Sequence, residues 1–281
     1  MFPWQFNVAP HIDSFIKWLV VAWGPFFEAL SHMVLGMLLQ IEGVLKWMPW
    51  WGWIIIITII AWRQTHNLLK TLLPGLLILT IGLFGLWNVA IETLGIIFVA
   101  VLISLIIGIP IGVAMSSSDR FNAFNTPLLD AMQTMPSLVY LIPALMLFGL
   151  GKVPGVIATV IYALPPVVRL TNLGIRQVSQ EVQEAALVFG ASPWQMMKEV
   201  RFPLAMPTIM AGINQTTMMA LSMVVIASMI GAGGLGEEVL KATNRVDTGK
   251  GFEAGWAIVV LAIVIDRMSQ ASAKKWEPPQ N

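Results

Sequence analysis

The sequence has no cysteine and little charge. Among its 281 residues there are three histidines, and Asp, Glu, Lys and Arg together make up 11%. Disulfides, thiolate nucleophiles and cysteine metal sites are therefore excluded, and three scattered histidines do not favour any other metal site. The formal net charge is only +1, so no excess of basic residues points to a nucleic-acid partner.

Apolar residues take the place of the missing charge. They account for 57% of the chain, and the mean hydropathy is +0.78, whereas soluble domains carry about 25% charged residues. Because so little polar surface could not cover a soluble globule, the composition predicts an integral membrane protein. The first residues, MFPWQFNVAPHIDSF, lack a basic segment and a small-residue cleavage site, so we expect no cleaved signal peptide.

Membrane-spanning helices are predicted where about 20 consecutive residues are mostly apolar. The candidate spans are 50–62, 68–87, 89–115, 128–150, 154–171, 205–231 and 253–268. No ionisable residue lies in the middle of a span, since Glu92, Asp130 and Asp266 lie near span ends. Ion-coupled carriers usually bind their ion at intramembrane carboxylates, so the sequence argues against such a carrier. Energy for transport would then come from a cytoplasmic partner.

The N-terminal region, 13–47, has a different pattern. Polar residues fall near one helical face and apolar residues on another; the polar set is Asp13, Lys17, Gly24, Glu28, Ser31, Glu42 and Lys46. This pattern predicts an amphipathic helix that lies in the membrane interface. The alternative is a helix over 19–39 that crosses the membrane, with Glu28 and His32 facing protein. We therefore assign 1–48 to a tail and interfacial helix and 49–88 to accessory transmembrane helices.

The distribution of Lys and Arg predicts the orientation of the spans. If the N-terminus is outside, the inner segments hold ten of the 16 Lys and Arg residues and the outer segments six. Because positive residues are enriched on the cytoplasmic side, this places 172–204 and the C-terminal tail, 271–281, in the cytoplasm. The segment 233–252 would then lie outside.

One segment, EVQEAALVFGASPWQMMKEVRFPLAMP at 181–207, interrupts the apolar chain with charge and proline. A short helix is predicted over 180–189, and Gly190 is suited to end it in the left-handed conformation. A second helix is predicted to start at once, with Ser192 as cap, Pro193 at its first position and Gln195 completing a capping box. Pro203 and Pro207 are expected to stop this second helix. The pattern fits either a specific helical hairpin or an amphipathic loop on the membrane.

The same segment resembles the EAA motif of ABC-importer permeases. It has Glu-Ala-Ala at 184–186, a glycine four residues after the second alanine, and a proline-bearing start of the next span. The runs DAMQTMPSLVYLIPALMLFGLGKVPGVIATVIYALPPVVRLTNLGIRQV at 130–178 and GINQTTMMALSMVVIASMIGAGGLG at 212–236 are similar to the glycine betaine/proline branch of that family. The resemblance covers about 90–270.

The resemblance implies an all-α polytopic fold with the transmembrane domain of a type I, MetI-like importer over 89–270. The hairpin, about 176–204, would be a coupling helix seated in a cleft of a separate ATPase; its implied contact residues are Glu184, Ala185, Ala186, Gly190, Ser192 and Pro193. The chain has no G-x-x-x-x-G-K-[ST] loop, so ATP and Mg would belong to the ATPase, with no cofactor and no catalysis on this chain.

The resemblance also implies partners and a function. The chain would be half of a homodimeric channel in a bacterial cell membrane, served by two ATPases and an extracytoplasmic binding protein. Its function would be uptake of glycine betaine or a related osmoprotectant. The alternative hypotheses are an importer of the same type for proline, choline or carnitine, an ion-coupled carrier, and a channel or osmosensor without an ATPase.

A weakly polar stripe on the span after the hairpin is a candidate translocation path. Its members recur every three or four residues: Asn214, Met218, Ser222, Val225 and Met229, with Thr217 and Ser228 beside them. An uncharged stripe suits a zwitterion with a quaternary ammonium head, but the same residue types also serve helix packing, and both readings stay open. Gln133, Thr134 and Tyr140 are further candidates, because aromatic faces bind quaternary ammonium.

The glycine-rich run GAGGLG at 231–236 follows this span. It permits close backbone approach, and the resemblance suggests that the outer gate lies there. Glu237, Glu238 and Glu253 are candidates for docking the binding protein, although a solvated loop would carry the same residues.

Overall fold

The computed structural model describes residues 7–65 and 68–274, with side chains over 7–63 and 71–270. All regular structure in these ranges is helical, which confirms the predicted fold class. The helices are α1 Ala9–Trp47, α2 Trp50–Thr65, α3 Leu68–Leu83, α4 Trp87–Ser117, α5 Asp119–Thr134, α6 Leu141–Phe148, α7 Lys152–Arg176, α8 Gln180–Val188, α9 Pro193–Gln195, α10 Phe202–Ala227, α11 Leu235–Arg245 and α12 Thr248–Lys274. The side chains of the predicted tail, 271–281, lie outside the described ones.

The core is built from α4, α7 and α10, with α7 in the middle. Small residues let their backbones approach closely, as is usual for membrane helices. A Cβ added at Gly112 of α4 would lie 2.7 Å from the Val168 carbonyl oxygen, and one at Gly212 of α10 would lie 2.9 Å from Leu170 Cβ. Both glycines therefore face α7, and their positions fix how the three helices cross.

A second layer packs beside this core. Buried residues of α2, α3, α4, α11 and α12 form one apolar cluster: Ile57, Ile78, Ile81, Ala90, Leu235, Ala257, Val260, Leu261 and Val264. A side-chain hydrogen bond reinforces it, because Trp256 Nε1 donates to Thr80 Oγ1 at 2.9 Å. The short helices α2 and α3 are therefore held to the core through α12.

The candidate span over 128–150 is not one continuous helix. The chain is helical in α5, breaks at Met135 and Pro136, turns through a 3-10 segment at Ser137–Tyr140, and continues as α6. The helix direction changes by 109° between the two halves. The residue before a proline is pushed out of the helical region, and Met135 is extended with ψ 133°. The sequence contains this signal, but the apolar run conceals it.

The N-terminal helix α1 packs on the core through its second half. Val34, Leu38 and Glu42 are its buried residues, and Phe27 stacks edge-on against Phe148 of α6. Glu42 belongs to the polar set, but it points into the protein and only 6% of its side chain is exposed.

Five described helices are long and apolar enough to span a membrane, namely α1, α4, α7, α9 with α10, and α12; the bent pair α5 and α6 would be a sixth. The helices α2 and α3 are apolar but shorter. This count rests on length and composition, so both placements of α1, crossing or interfacial, remain predictions. Helix α11, inside the segment predicted as an outer loop, was not predicted.

Candidate functional site

The molecule has two polar ends, which the long helices separate. The hairpin end holds α8 and α9, together with the end of α7 and the start of α5. The glycine end holds residues 231–236, which we call the glycine loop, together with the starts of α4 and α7. Helix α7 alone has 25 residues and is therefore about 37 Å long.

At the hairpin end, the local geometry agrees with the sequence. Helix α8 ends at Val188, and Gly190 takes φ +84°. Ser192 caps the next helix, because its Oγ accepts from Gln195 N at 3.3 Å while its own N–H donates to Gln195 Oε1 at 2.9 Å. The predicted helix, left-handed glycine and capping box are thus confirmed.

The predicted stop at Pro203 and Pro207 is wrong. The helix that begins at Pro193 continues through a π-helical turn at Met196–Arg201 directly into α10. In this wider turn the Phe202 N–H donates to the Met197 carbonyl, and Pro203 follows at the start of the α-helical register, where a missing N–H costs little. The second arm of the hairpin is therefore continuous with α10.

A polar chain that the sequence did not reveal holds the two arms of the hairpin together. Arg201 Nη2 donates to Gln183 Oε1 at 2.6 Å, and Gln183 Nε2 donates to the Val178 carbonyl at 2.7 Å. Arg201 lies 18 residues from Gln183, so local spacing gives no signal for this contact. It fixes α8 against the π-helical turn.

The tip of the hairpin exposes large apolar side chains. Val188 is 85% exposed, Phe189 91% and Trp194 71%, and no residue of α8 is buried. A cleft of about 270 Å³ lies between the arms, lined by Ala186, Phe189, Gly190, Ala191, Gln195, Glu199 and Val200. Exposed apolar patches rimmed by polar residues mark sites where another surface binds.

The predicted contact residues surround this tip. Glu184 is exposed and accepts from Gln180 Nε2 at 3.1 Å. Ala185, Gly190, Ser192 and Pro193 are exposed, and Ala186 is half-buried at the cleft. Of the six, Ala186 and Gly190 line the cleft, and the other four are exposed on the same two arms.

The base of the hairpin is fastened to the core by Arg176 at the end of α7. Its guanidinium donates to Asp119 Oδ1 at 2.7 Å, to the Met115 carbonyl at 2.8 Å and to Asn172 Oδ1 at 2.9 Å. A second ion pair, between Arg169 and Asp130, joins α7 to α5 farther along. Motion of the hairpin is therefore tied to α4, α5 and α7.

The candidate path residues do not all share one setting. Ser222 is exposed on α10, where Met218 is half-buried, and Met229 is exposed in the 3-10 segment Ser228–Ile230 that follows. Asn214 instead packs against α12, where it donates to Asp266 Oδ1 at 3.3 Å and accepts from Ser269. This contact favours helix packing for Asn214.

The two candidates before α6 also differ. Thr134 is exposed and bonds within its own helix, to the Ala131 carbonyl at 3.0 Å. Tyr140 is buried, its hydroxyl donates to the Met132 carbonyl across the break, and its ring meets Tyr162 edge-on at 5.8 Å. Tyr140 thereby stabilises the bend between α5 and α6.

At the glycine end, the glycine loop is packed between two helix starts. Gly231, Gly233 and Gly234 all have positive φ, from 75° to 82°, which glycine adopts without strain. The Leu235 N–H donates to Thr93 Oγ1 of α4 at 2.8 Å. The Gly151 N–H, just before α7, donates to the Ile230 carbonyl at 2.9 Å.

Four charged side chains, the ion quartet, lie beside this loop: Glu42, Lys46, Glu92 and Lys152. The short contact is Lys152 Nζ to Glu42 Oε1 at 2.7 Å, and the other three pairs lie between 3.7 and 3.8 Å. The sequence did not predict this group, since Glu42 and Lys152 are 110 residues apart.

Two of the candidate docking acids are occupied by a lysine. Lys241 Nζ lies 3.0 Å from Glu237 and 2.9 Å from Glu238, and these hydrogen bonds, first that of Glu238, raise the pKa of Lys241. Glu253 is half-buried at the start of α12. Among the described residues no group of His, Asp and Glu could hold a metal ion.

Comparisons with known proteins agree with this architecture. Residues 100–277 match the family described as binding-protein-dependent transport system inner membrane component. Among solved structures, the inward-facing MetNI methionine ABC transporter superposes with a TM-score of 0.63, at 18% identity, over 69% of this chain and 96% of the other. At this identity the likeness concerns the fold alone, and it confirms the predicted MetI-like architecture.

Curated relatives are much closer in sequence. The glycine betaine/proline betaine permease ProW of Escherichia coli is 47% identical over 91% of this chain and 72% of its own. The glycine betaine/carnitine permease GbuB of Listeria monocytogenes is 46% identical over 95% and 96%. The glycine betaine permease OpuAB of Bacillus subtilis is 42% identical over 94% and 93%. The resemblance found from the hairpin and its flanking runs is thereby confirmed.

Proposed function

Because the chain belongs to the family of binding-protein-dependent transport system inner membrane components, we propose that it is the permease of an ATP-driven importer for glycine betaine or a related quaternary-ammonium osmoprotectant. Substrate support comes from the relatives: ProW, GbuB and OpuAB all transport glycine betaine by name, and each matches more than nine-tenths of this chain.

The single observation that supports coupling to an ATPase is the exposed tip of the hairpin. Its apolar side chains and small alanines surround a cleft outside the predicted spans, which is the form that a binding surface for another protein takes. The residues proposed to contact the ATPase are Glu184, Ala185, Ala186, Gly190, Ser192 and Pro193. ATP with Mg would bind only to the ATPase.

The proposed assembly contains a second copy of this chain, two ATPases and an extracytoplasmic binding protein. The N-terminus would lie outside and the C-terminus in the cytoplasm of a bacterial cell membrane. The face of α10 with Met218 and Ser222, together with Met229 just beyond its end, would line the path, and the glycine loop would close its outer end. Glu237, Glu238 and Glu253 stay candidates for docking the binding protein.

The test is transport by the purified assembly. The chain is reconstituted in proteoliposomes with its ATPase and binding protein, and uptake of labelled glycine betaine is measured with ATP, without ATP, and with a proton or sodium gradient alone. Uptake that requires ATP and binding protein supports the proposal. Uptake driven by a gradient alone would establish the ion-coupled carrier instead.

A second candidate function is an ATP-driven importer of the same type whose substrate is carnitine, choline or proline. Carnitine has specific support, because the relative GbuB is named for both glycine betaine and carnitine. Unlabelled competitors added to the uptake assay rank the solutes. If carnitine or choline competes better than glycine betaine, the substrate assignment changes while the importer mechanism stands.

A further inference from the structure

The ion quartet joins three separate parts of the chain at the glycine end. Glu42 and Lys46 come from the last turns of α1, Glu92 from the start of α4, and Lys152 from the start of α7. Each carboxylate lies within 4 Å of both ammonium groups. The two negative and two positive charges alternate, so the group has no net charge.

Glu42 is the member that depends most on the others. Its side chain is 6% exposed, against 41% for Lys46, and a buried carboxylate is tolerated only when it is paired. Gly95 makes room for it, because a Cβ at Gly95 would lie 2.9 Å from Glu42 Cγ. The stem of Glu42 thus lies directly on α4 while its oxygens reach α7.

These are also the only ion pairs that α1 makes within the described part of the chain. The rest of its described contact with the core is apolar, through Val34 and Leu38 above all. The quartet is therefore the point at which α1 makes ionic contact with the starts of α4 and α7.

The glycine loop touches the same charges. A Cβ at Gly233 would lie 3.6 Å from Glu92 Oε2 and 3.7 Å from Lys152 Cε. The two residues that hydrogen-bond the loop region, Thr93 through its hydroxyl and Gly151 through its N–H, are the chain neighbours of Glu92 and Lys152. Any shift of the helix starts that carry Glu92 and Lys152 therefore moves the loop.

We propose that Glu42 is a positioning residue for the glycine loop. Through Lys152 and Glu92, the N-terminal helix fixes the spacing between the starts of α7 and α4, and this spacing holds the loop closed. Helix α1 is then a working part of the gate. This inference rests on the proposed function, in which the glycine loop closes the outer end of the path.

The test uses a cysteine reporter in this cysteine-free chain. Ser228 is 3% exposed and lies under the loop, since a Cβ at Gly236 would be 3.0 Å from Ser228 Cβ. Its hydroxyl bonds only locally, to the Val225 carbonyl, so Ser228→Cys is a mild change. The rate at which a maleimide labels this cysteine in the membrane-embedded permease reports how often the loop opens.

Two variants are made in the reporter background. Glu42→Gln removes one charge, and the pair Glu42→Met with Lys152→Met removes both without leaving a buried charge unpaired. The matched control is Glu28→Gln, which changes an exposed carboxylate on the same helix. We expect both variants to label about tenfold faster than the parent, the usual size of coupling between sites, and the control to label at the parental rate.

The complete transporter gives the second readout. With ATPase present and binding protein absent, both variants should hydrolyse ATP faster than the parent, because the gate no longer restrains the cycle. Unchanged labelling in the Met pair overturns the inference. Failure of both variants to insert, while Glu28→Gln inserts normally, assigns the quartet to folding and overturns it too. The labelling needs neither substrate nor ATPase. Its result therefore tests the role of Glu42 even if the parent transports nothing and the proposed function fails.

Discussion

The two ends of the molecule use glycine in opposite ways. At the hairpin end, a Cβ added to Gly190 would meet nothing within 4 Å, although φ is +84°. At the glycine end, a Cβ at Gly234 would lie 2.6 Å from Thr93 Oγ1, with φ +75°. Gly190 lets the chain turn in open space, whereas Gly234 lets the backbone press against a neighbouring helix.

The surroundings differ in the same sense. Phe189 beside Gly190 is 91% exposed, while Leu235 beside Gly234 is fully buried. The hairpin end has an apolar surface that no described part of the chain covers, whereas the glycine loop is packed against neighbouring helices. The hairpin end therefore presents a surface of the kind that binds another protein, whereas the glycine end would have to break internal contacts in order to move.

The largest expected difference between the ends is their side of the membrane. Single cysteines are placed at Ser192 and at Thr243, both exposed, and intact cells are treated with an impermeant maleimide. The excess of Lys and Arg near the hairpin end predicts that it is cytoplasmic, so only the cysteine at 243 should react. Permeabilised cells, in which both should react, provide the control. Labelling at 192 alone would reverse the orientation and remove the ATPase from the hairpin.

The next largest effect concerns coupling at the hairpin tip. Glu184→Lys and Gly190→Val should leave the permease inserted and the binding protein able to dock, because neither residue contacts the core. The ATPase should bind more weakly or hydrolyse ATP without uptake, with transport per ATP reduced about tenfold, a typical coupling magnitude. Subunit stoichiometry, ATPase rate and uptake in proteoliposomes measure this.

Glu181→Lys is the matched control for charge, since Glu181 is exposed on the same helix, three residues before Glu184, and is not one of the six proposed contact residues. It should transport as the parent does. If Glu184→Lys and Gly190→Val both assemble and transport at the parental rate per ATP, the tip is an ordinary membrane-surface loop and the contrast between the two ends disappears.

A third comparison places the same substitution at both glycines. Gly190→Ala should cost about 1 kcal/mol of stability, the penalty for a side chain in the left-handed conformation. Gly234→Ala adds a steric clash with Thr93 and should cost about 3 kcal/mol, within the range for overpacking added to backbone strain. Thermal unfolding of the purified permease measures both. Equal losses would mean that the glycine loop is not packed as described.

The hairpin could be predicted because its signals are local. A cap, a proline at the first helical position and a glycine after the last turn act over three or four residues, and each appears in the structure as expected. The π-helical turn at Met196–Arg201 could not be predicted, because it depends on how the hairpin meets the core. The contact between Arg201 and Gln183 belongs to the same class.

At the glycine end, prediction failed for a different reason. The glycines indicated a flexible or closely packed segment, but its charges come from three places in the chain, and no spacing rule relates Glu42 to Lys152. Helix α11 was not predicted, although the apolar residues of LGEEVLKATNR recur at helical spacing. The glycine-rich residues before it suggested a loop. The bend at Met135 carried a proline signal that the apolar composition outweighed.

The smallest expected effect separates two lysine clusters at the glycine end. Lys152 pairs with a buried carboxylate, whereas Lys241 and its partners Glu237 and Glu238 are exposed or half-buried. Exposed pairs contribute less than about 1 kcal/mol, so Lys241→Met should change stability by less than that. Lys152→Met removes the short contact of Glu42, leaving only the longer one to Lys46 at 3.8 Å, and should cost about 3 kcal/mol.

The pH dependence of the Lys241 cluster gives the same contrast a sign. Hydrogen bonds to Glu238 and Glu237 raise the pKa of Lys241 above its ordinary value of 10.5. Its contribution is therefore fully present below that value and is lost only as the pH rises through the higher folded-state pKa. The small difference between Lys241→Met and the parent should then be constant from about pH 8 to about pH 10 and vanish only above that range. If the stability difference already changed below about pH 9, a group other than Lys241 would be titrating there. The Lys241 cluster would then not be a simple exposed ion pair, and its contrast with the quartet would fail.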